Sequence, residues 1–323
     1  MSTFVAGYNR FLSQIQRSQI IMIPESGEGF KSGFVALVGR PNVGKSTLLN
    51  ALIGQKIAIT SPVAQTTRNR LRGILTLPEA QIVLVDTPGI HKPHHLLGQT
   101  IVKNAIGAIS SVDMTVLLVD GSDRMGTGDR FVAETILQSN VPTILGINKI
   151  DILNDDSGDT FTGYESFAEE HGWQVAKFSS VTGEGLEALQ TMMCERLPLG
   201  PYYYPPDLVT DQPERFIMGE LIREQILLLT REEIPHSVAI SIDQVDEQPK
   251  ITRVMATIHV ERDSQKGILI GKKGQMLKEI GTQARLQMQK MIMGSVHLEM
   301  FVKVQPKWRS SRFQLSDLGY RVE

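Results

Sequence analysis

The residues best suited to chemistry in this 323-residue chain are Lys45 and Ser46, which end the stretch GRPNVGKS at positions 39–46. This stretch has the pattern G-x-x-x-x-G-K-[ST], whose backbone N–H groups surround phosphate oxygens. In such a loop the lysine reaches the β- and γ-phosphates of a nucleotide, and the hydroxyl ligates Mg²⁺. The spacing therefore predicts a phosphate-binding loop with a charge-stabilising lysine.

Two elements must position that loop. The apolar run at 34–38 predicts a buried strand before it, and residues 47–53 predict a helix after it. The N-terminus of that helix presents free N–H groups and the positive end of its dipole to the same anion. The motif indicates phosphate binding because it forms a glycine-rich turn between a strand and a helix.

Two further segments carry groups that suit a metal ion next to the γ-phosphate. Residues 58–68 lack helical periodicity and predict a loop, in which Thr67 is the candidate Mg²⁺ ligand and Thr66 the alternative. The apolar run at 82–85 ends in Asp86-Thr87-Pro88-Gly89. A carboxylate at the end of a strand can hold Mg²⁺, and the Gly89 N–H can meet the γ-phosphate.

The sequence Asn148-Lys149-Ile150-Asp151 identifies the base. Guanine presents two adjacent donors that one carboxylate, Asp151, can accept, whereas adenine would leave that carboxylate unpaired. The side chain of Asn148 is expected to tie the base to the phosphate loop, and the stem of Lys149 is expected to cover the ring. Residues 175–183 predict a last short strand and a turn, Ser179-Ser180-Val181, whose backbone touches the guanine oxygen.

Strands alternate with helices predicted near 99–109, 129–138, 164–171 and 184–197. This alternation predicts an α/β fold, a doubly wound and mostly parallel six-stranded sheet, with the ligand at the carboxyl ends of the strands. We place this domain at 33–197, after a flexible extension at 1–32. The Pro- and Tyr-rich stretch that follows predicts an extended linker over 198–213, with packing onto a domain as the favoured role of its tyrosines.

Residues 214–323 predict a second, α+β domain with the order α-β-β-α-α-β. Gly271-Lys272-Lys273-Gly274 stands between its two consecutive helices. Two glycines let one backbone approach another, and the lysines supply charge, as in the clamp that KH modules use on single-stranded RNA. Lys307, Trp308 and Arg309 follow the last strand, and Trp308 either stacks on a base or anchors the core.

Composition agrees with two ordinary globular domains. The one cysteine, Cys194, excludes a disulfide framework and a cysteine-based zinc site. No apolar run is long enough to cross a bilayer. The net charge is −2, but residues 261–323 carry +6 and residues 1–260 carry −8. A polyanion is therefore expected at the C-terminal domain.

The motifs GRPNVGKS, QTTR, DTPG, NKID and SSVTG, joined to IGKKG and to the ending VKVQPKWRSSRFQLSDLGY, resemble the bacterial Era family over residues 33–323. The resemblance implies a P-loop GTPase domain followed by a type II KH-like domain. It implies a GTP-dependent factor for assembly of the 30S ribosomal subunit that binds 16S rRNA near its 3′ end. It further implies a monomer in the cytoplasm, with peripheral contact with the inner membrane. Ser180, where the family usually has alanine, is expected to be neutral.

Two residues bear on the rate of hydrolysis. Ile90 stands where Ras-like switches have a water-positioning glutamine, so slow intrinsic hydrolysis is expected. In the GTPases that this chain resembles, an asparagine at the position of Asn42 helps to hold K⁺ against the phosphates. We carry K⁺ stimulation as a hypothesis, with a simple turn residue as the alternative role of Asn42.

The sequence predicts a set of cofactors and four sets of site residues. The cofactors are GTP or GDP, Mg²⁺ and, by hypothesis, K⁺. Catalysis is assigned to Asn42, Lys45, Thr67, Asp86 and Gly89, and the metal to Ser46, Thr67 and Asp86. RNA binding is assigned to Gly271, Lys272, Lys273, Gly274, Lys307, Trp308 and Arg309. Nucleotide binding is assigned to Gly39, Arg40, Pro41, Asn42, Val43, Gly44, Lys45, Ser46, Thr47, Asp86, Thr87, Pro88, Gly89, Asn148, Lys149, Asp151, Ser179, Ser180 and Val181.

Two other functions are compatible with these residues. The first is a constitutive RNA-binding protein whose nucleotide only stabilises the fold. The second is a membrane-associated signalling or trafficking GTPase whose basic face meets anionic lipid. RNA affinity measured with GDP and with a non-hydrolysable GTP analogue distinguishes the first function from a switch, because a constitutive RNA-binding protein binds RNA equally well with both.

Overall fold

The N-terminal half of the chain forms a six-stranded sheet in the computed structural model, which describes residues 23–63, 66–90, 106–107, 109–153, 160–292 and 294–320. Apolar, β-rich runs form its central strands, which are buried along almost their whole length. The strands are β1 (Lys31–Gly39), β2 (Leu71–Leu77), β3 (Ala80–Asp86), β4 (Met114–Asp120), β5 (Thr143–Asn148) and β6 (Gln174–Lys177).

The strand order is β2-β3-β1-β4-β5-β6, and every pairing is parallel except the antiparallel pairing of β2 with β3. Helices cover both faces of the sheet, with α1 and α4 in one apolar cluster and α2 and α3 in another. The predicted doubly wound sheet is thus confirmed. The predicted helix near 99–109 lies mostly outside the described residues. The helices are α1 (Lys45–Ile53), α2 (Thr127–Leu137), α3 (Thr162–Glu170) and α4 (Leu186–Arg196).

The register brings the carboxyl ends of four strands to one edge. Leu37 of β1 pairs with Asp86 at the end of β3, and Gly39 at the end of β1 pairs with Leu118 of β4. Asp120 pairs with Asn148, so β4 and β5 end side by side. Since loops that follow these strands converge on that edge, it is where a ligand of a doubly wound fold binds.

The second domain has a three-stranded sheet of order β7-β8-β9, with helices on one face. β7 pairs with β8 in antiparallel orientation, and β8 pairs with β9 in parallel orientation. Its order confirms the predicted α-β-β-α-α-β module, except that a short helix separates the first long helix from β7. β7 therefore begins at Ala239, after this short helix. The elements are α5 (Glu214–Leu229), α6 (Ile234–Ser237), β7 (Ala239–Gln248), β8 (Ile251–Val260), α7 (Asp263–Ile270), α8 (Gln275–Met288), β9 (Ser295–Val304) and α9 (Arg312–Asp317).

The predicted linker, 198–213, packs onto the first domain. Gln81 of β3 is completely buried, and its amide donates to the Tyr204 carbonyl while its oxygen accepts from the N–H groups of Tyr203 and Tyr204. Further along, the Ile74 N–H donates to the Val209 carbonyl. The linker is thus a strap along the sheet. The first domain also starts before position 33, because β1 begins at Lys31.

Candidate functional site

The phosphate loop runs from the end of β1 into α1 through a backbone that only glycine can adopt. Gly44 has φ +99° and caps the N-terminus of α1. A Cβ atom at this position would lie 2.2 Å from Nδ2 of Asn148. A side chain here would therefore be strained twice, by the backbone and by the neighbouring loop. The second glycine of the motif therefore allows the phosphate loop to approach the loop of Asn148 this closely.

Lys45 is a buried cation that is held across the loop. Its Nζ donates to the carbonyls of Gly39, at 3.2 Å, and Arg40, at 2.7 Å. Burial lowers the pKa of Lys45 to about 8, and the charge of Asp86 opposes part of this effect. An ammonium group with so little solvent gains strongly from a phosphate anion placed against it.

The three predicted metal ligands lie together. Ser46 Oγ donates to Asp86 Oδ2 at 2.7 Å, and Thr67 Oγ1 lies 2.9 Å from Ser46 Oγ and 3.1 Å from Asp86 Oδ2. The alternative ligand, Thr66, instead donates its hydroxyl to the Val63 carbonyl at 2.6 Å. Of the two threonines, the geometry therefore favours Thr67.

These residues fit a magnesium ion. Asp86 is completely buried, and burial raises the pKa of its carboxyl group against the opposing charge of Lys45. Its Oδ1 atom has no hydrogen-bond partner among the described residues. A buried carboxylate with a free oxygen beside two hydroxyls is an all-oxygen donor set of the kind that Mg²⁺ prefers. A bound cation would favour the ionised carboxylate.

The segment predicted to read the base is tied to the phosphate loop. Asn148 Nδ2 donates to the Val43 carbonyl at 2.8 Å, while its Oδ1 accepts from the Ser180 N–H at 2.9 Å and the Ser180 hydroxyl at 3.0 Å. The hydroxyl bond is one that alanine could not make, so Ser180 adds a contact that the sequence did not reveal. Lys149 forms an ion pair with Asp120, and Asp151 is exposed in the turn that follows.

A cavity of about 270 Å³ lies between the phosphate loop and the 58–68 loop and also meets Gly89 and Lys149, whereas Asp86, Asn148, Asp151 and the 179–181 turn do not line it. Not every predicted residue points into it. The Arg40 side chain turns away to Asp129, at 3.1 Å, and the Thr87 hydroxyl donates to the Leu37 carbonyl, at 2.7 Å. Val181 is largely exposed at the rim of the base-reading turn. The predicted residues that line the cavity are Pro41, Asn42, Gly44, Lys45, Ser46, Thr47, Thr67, Gly89 and Lys149.

Sequence reasoning missed Asp120 and the part played by Thr60 and Pro62. Asp120 ends an apolar run just as Asp86 does, and that repeated pattern could have identified it. Thr60 and Pro62 line the cavity from the 58–68 loop. The Pro62 carbonyl accepts a 2.8 Å hydrogen bond from Asn42 Nδ2, and this bond does not involve the Asn42 amide oxygen.

Ile90 cannot orient water. Its side chain is 1% exposed and packs in the apolar cluster with Ala36 and Val38. Its N–H donates to the Gly39 carbonyl at 3.2 Å. The residue after Gly89 therefore fastens its loop to β1 and places its side chain in the apolar cluster.

The GKKG turn, residues 271–274 between α7 and α8, presents charge on an open surface. Gly271 has φ +71°, and a Cβ there would lie 2.7 Å from that of Met276, so the turn needs glycine. Lys272 and Lys273 are both exposed, and α8 begins immediately after Gly274. Two ammonium groups next to a helix N-terminus form a site that suits the phosphates of a nucleic acid strand.

Lys307, Trp308 and Arg309, which begin two residues beyond the end of β9, do not behave alike. The prediction that Trp308 binds RNA is wrong, because its ring is completely buried against Tyr320 and its Nε1 donates to the Ser237 carbonyl at 3.1 Å. The core-anchoring alternative is the one observed. Arg309 is already bound to Glu261, with Nε 3.0 Å from Oε2. Lys307 remains exposed.

Comparison with known proteins supports both domains. Residues 34–149 match the family model described as 50S ribosome-binding GTPase, and residues 233–309 match the KH domain. The chain is 64% identical to GTPase Era of Nostoc sp. over 99% of this chain and 98% of that protein. It is 63% identical to GTPase Era of Synechocystis sp., over 94% and 97%.

Solved structures agree over most of the chain. A crystal structure of Era in complex with MgGDPNP and nucleotides 1506–1542 of 16S ribosomal RNA is 37% identical, with a TM-score of 0.86, and covers 91% of this chain and 100% of that one. Aquifex aeolicus Era bound to GDP and aluminium fluoride has a TM-score of 0.87, at the same identity and coverage. The predicted GTPase and KH modules are confirmed, and the chain belongs to the Era family of GTPases.

Proposed function

We propose that this GTPase is a nucleotide-controlled switch that binds 16S rRNA near its 3′ end and assists assembly of the 30S ribosomal subunit. The observation that carries the proposal is the likeness to the Era–MgGDPNP–16S rRNA complex, which extends over both domains of the chain. The description that mentions the 50S subunit belongs to a match over residues 34–149 alone. The RNA target is better inferred from the match that includes the KH domain.

In the proposed mechanism, water attacks the γ-phosphate of GTP while fixed groups stabilise the charge that develops. Lys45 stabilises the β- and γ-phosphate oxygens, and the Gly89 N–H contacts the γ-phosphate. Ser46, Thr67 and Asp86 would hold Mg²⁺, which when bound neutralises charge on the phosphate oxygens. The hydroxyl of Thr67 completes this set only while the γ-phosphate is present. Its loop is therefore the part that distinguishes GTP from GDP.

We also propose that Asp151 reads guanine, that Lys149 lies along the ring, and that the Ser179–Val181 turn contacts the guanine oxygen. The arrangement of Asn148 supports this, because one side chain bonds to both the phosphate loop and the Ser180 turn. Base recognition and phosphate binding are thereby mechanically joined, and a poorly matched base displaces the loop that holds its phosphates.

Slow intrinsic hydrolysis and K⁺ stimulation are proposed together. Ile90 is buried and has no group that can position water, and the Asn42 oxygen, which the bond to Pro62 does not use, could be a ligand for a cation that replaces an arginine finger. We expect K⁺, but not Na⁺, to accelerate hydrolysis, and Asn42→Ala to remove the difference while GDP still binds. Equal rates in the two salts would overturn the K⁺ proposal.

We propose a monomer in the cytoplasm. No described helix is long and apolar enough to cross a bilayer. Peripheral contact with the inner membrane is the alternative location. Cell fractionation in low and high salt distinguishes the two, because a peripheral electrostatic contact is released by salt.

The test of the proposed function is crosslinking of the chain to RNA in cells, followed by sequencing of the bound RNA. Purified protein is then measured against a 16S rRNA 3′-end oligonucleotide with GDP and with a non-hydrolysable GTP analogue. We expect recovery of the 16S 3′ end and unequal affinities in the two nucleotide states. Equal affinities would favour a constitutive RNA-binding protein, and recovery of 23S rRNA would overturn the 30S assignment.

A further inference from the structure

Three consecutive residues of the 58–68 loop face two different parts of the molecule. The middle residue, Thr67, contacts Ser46 and Asp86 at the proposed magnesium site. The residues on either side of it, Thr66 and Arg68, bond to the second domain. Adjacent Cα atoms are about 3.8 Å apart, so the position of Thr67 depends on both of its neighbours.

Arg68 is anchored entirely in the second domain. It is 5% exposed, and its guanidinium donates to the carbonyls of Val238, at 2.7 Å, and Pro235, at 3.0 Å, and to the Tyr320 hydroxyl, at 3.1 Å. Its Cζ atom also lies 6.0 Å from the centroid of the Tyr320 ring. A buried guanidinium with three directed bonds fixes the chain at its own position.

Arg223 of α5 holds the other neighbour. Its Nη2 donates to the Thr66 carbonyl, while its Nε donates to Glu220 at 2.8 Å, which fixes the orientation of the guanidinium. The side chain is 1% exposed, yet its Nη1 has no hydrogen-bond partner among the described residues. A buried and incompletely bonded cation costs stability, so packing alone does not account for an arginine at this position.

The same helix also holds the start of the loop. Glu224, the residue after Arg223, accepts from the Thr60 N–H at 2.9 Å and from Lys56 Nζ at 2.6 Å. Ile59 is 4% exposed and packs in the apolar cluster of the second domain. Helix α5 therefore contacts the loop at both ends, and Thr67 stands on a segment whose backbone is fixed from outside its own domain.

We propose that Arg223 is a positioning residue for GTP hydrolysis, supplied by the RNA-binding domain. By fixing the Thr66 carbonyl, together with the anchor of Arg68, it places the Thr67 hydroxyl at the magnesium site. This inference rests on the proposed role of Thr67. Since only the GTP state uses the Thr67 hydroxyl, loss of the Arg223 bond weakens the GTP complex and spares the GDP complex.

The test compares Arg223→Met, which keeps the length of the side chain and removes its donors, with Arg72→Met as a matched control. Arg72 is half exposed and pairs with Asp211 of the linker at 2.7 Å, away from Thr66–Arg68. Affinity for a non-hydrolysable GTP analogue and for GDP is measured at several Mg²⁺ concentrations, with the single-turnover hydrolysis rate. Circular dichroism establishes that each variant is folded.

In Arg223→Met we expect analogue affinity and hydrolysis rate to fall about tenfold or more, as for loss of a charged hydrogen bond. The Mg²⁺ requirement of the analogue complex should rise. GDP affinity should stay within about twofold, and Arg72→Met should change neither affinity by more than that. Arg223→Lys, which keeps a donor, should recover part of the loss. An equal fall in both affinities would overturn the inference.

Thr67→Ala and the double variant separate this inference from the proposed function. If Thr67 has its proposed role, Thr67→Ala lowers analogue affinity selectively, and adding Arg223→Met causes little further loss. A selective loss in Thr67→Ala with none in Arg223→Met would overturn the positioning role alone. No selective loss in Thr67→Ala would overturn the proposed role of Thr67.

Discussion

The nucleotide site and the GKKG turn present charge to phosphates in opposite ways. Lys45 is buried and bonded to two loop carbonyls. Lys272 and Lys273 are exposed on a turn whose shape is set by glycine. The first site holds its cation in a fixed position inside the fold, whereas the second presents exposed charge on a backbone shaped by glycine.

The difference teaches what each site can recognise. A preorganised polar pocket discriminates between ligands, because the wrong ligand leaves buried groups without partners. Exposed lysines attract any phosphate chain, and their energy depends on salt. Substitutions at the nucleotide site should therefore change which nucleotide is bound. Substitutions at the proposed RNA site should change affinity according to the charge they remove. Four experiments test this expectation.

The largest effect is expected from Asp151→Asn. The amide has only one acceptor oxygen, so one of the two guanine donors is left without a partner. GTP affinity should therefore fall by about 10³–10⁴-fold. The same amide can donate to the 2-oxo group of xanthine, so xanthosine triphosphate should bind better than to the wild type. Competition against a fluorescent guanine nucleotide measures both. Unchanged GTP affinity would show that Asp151 does not read the base.

The second experiment reverses the charge of both lysines in the turn, with Lys272→Asp and Lys273→Asp in one variant. We expect RNA affinity to fall by about 10–100-fold, and the slope of log affinity against log salt to decrease by about 1.4, for two lost phosphate contacts. GTP affinity should not change. Arg130→Asp, an exposed charge reversal on α2, is the control. Intact RNA crosslinking in the double variant would overturn the placement of the RNA site.

The third experiment uses the burial of Lys45. With a pKa of about 8 in the free protein, Lys45 loses its proton as pH rises above that value. Bound phosphates raise the pKa, so above pH 8 binding takes up a proton and GTP affinity falls, by about tenfold from pH 7 to 9. Calorimetry in buffers of different ionisation enthalpy measures that uptake. Lys45→Arg, which stays charged, should show no such decline.

The smallest effect on binding is expected from Trp308→Phe. RNA affinity should stay within about twofold, whereas the unpaired Ser237 carbonyl should lower the free energy of unfolding by about 1–3 kcal/mol. Denaturant titration measures the loss, and Phe313→Ala, at an exposed ring, is the control. Weaker RNA binding with unchanged stability would restore the stacking role that burial argues against.

The parts of this protein that the sequence predicts well are those that a local pattern defines. Lys45 and Asn148 stand in short motifs after buried strands, and strand ends converge in a parallel sheet whatever else the chain does. Trp308, Arg309 and Arg223 depend on partners that are distant in sequence. No spacing rule shows that Trp308 meets Ser237 or that Arg223 meets Thr66, because those contacts arise from packing between elements. Gln81, inside a strand, gave no sign that it holds the linker.

One further consequence follows from Ile59. This residue belongs to the first domain by sequence but packs with the second domain's apolar side chains, with Val63 partly buried beside it. Separating the two modules would expose apolar surface on both, and we therefore expect them not to melt independently. We expect a single cooperative thermal transition for the whole chain and a lower midpoint for either fragment expressed alone.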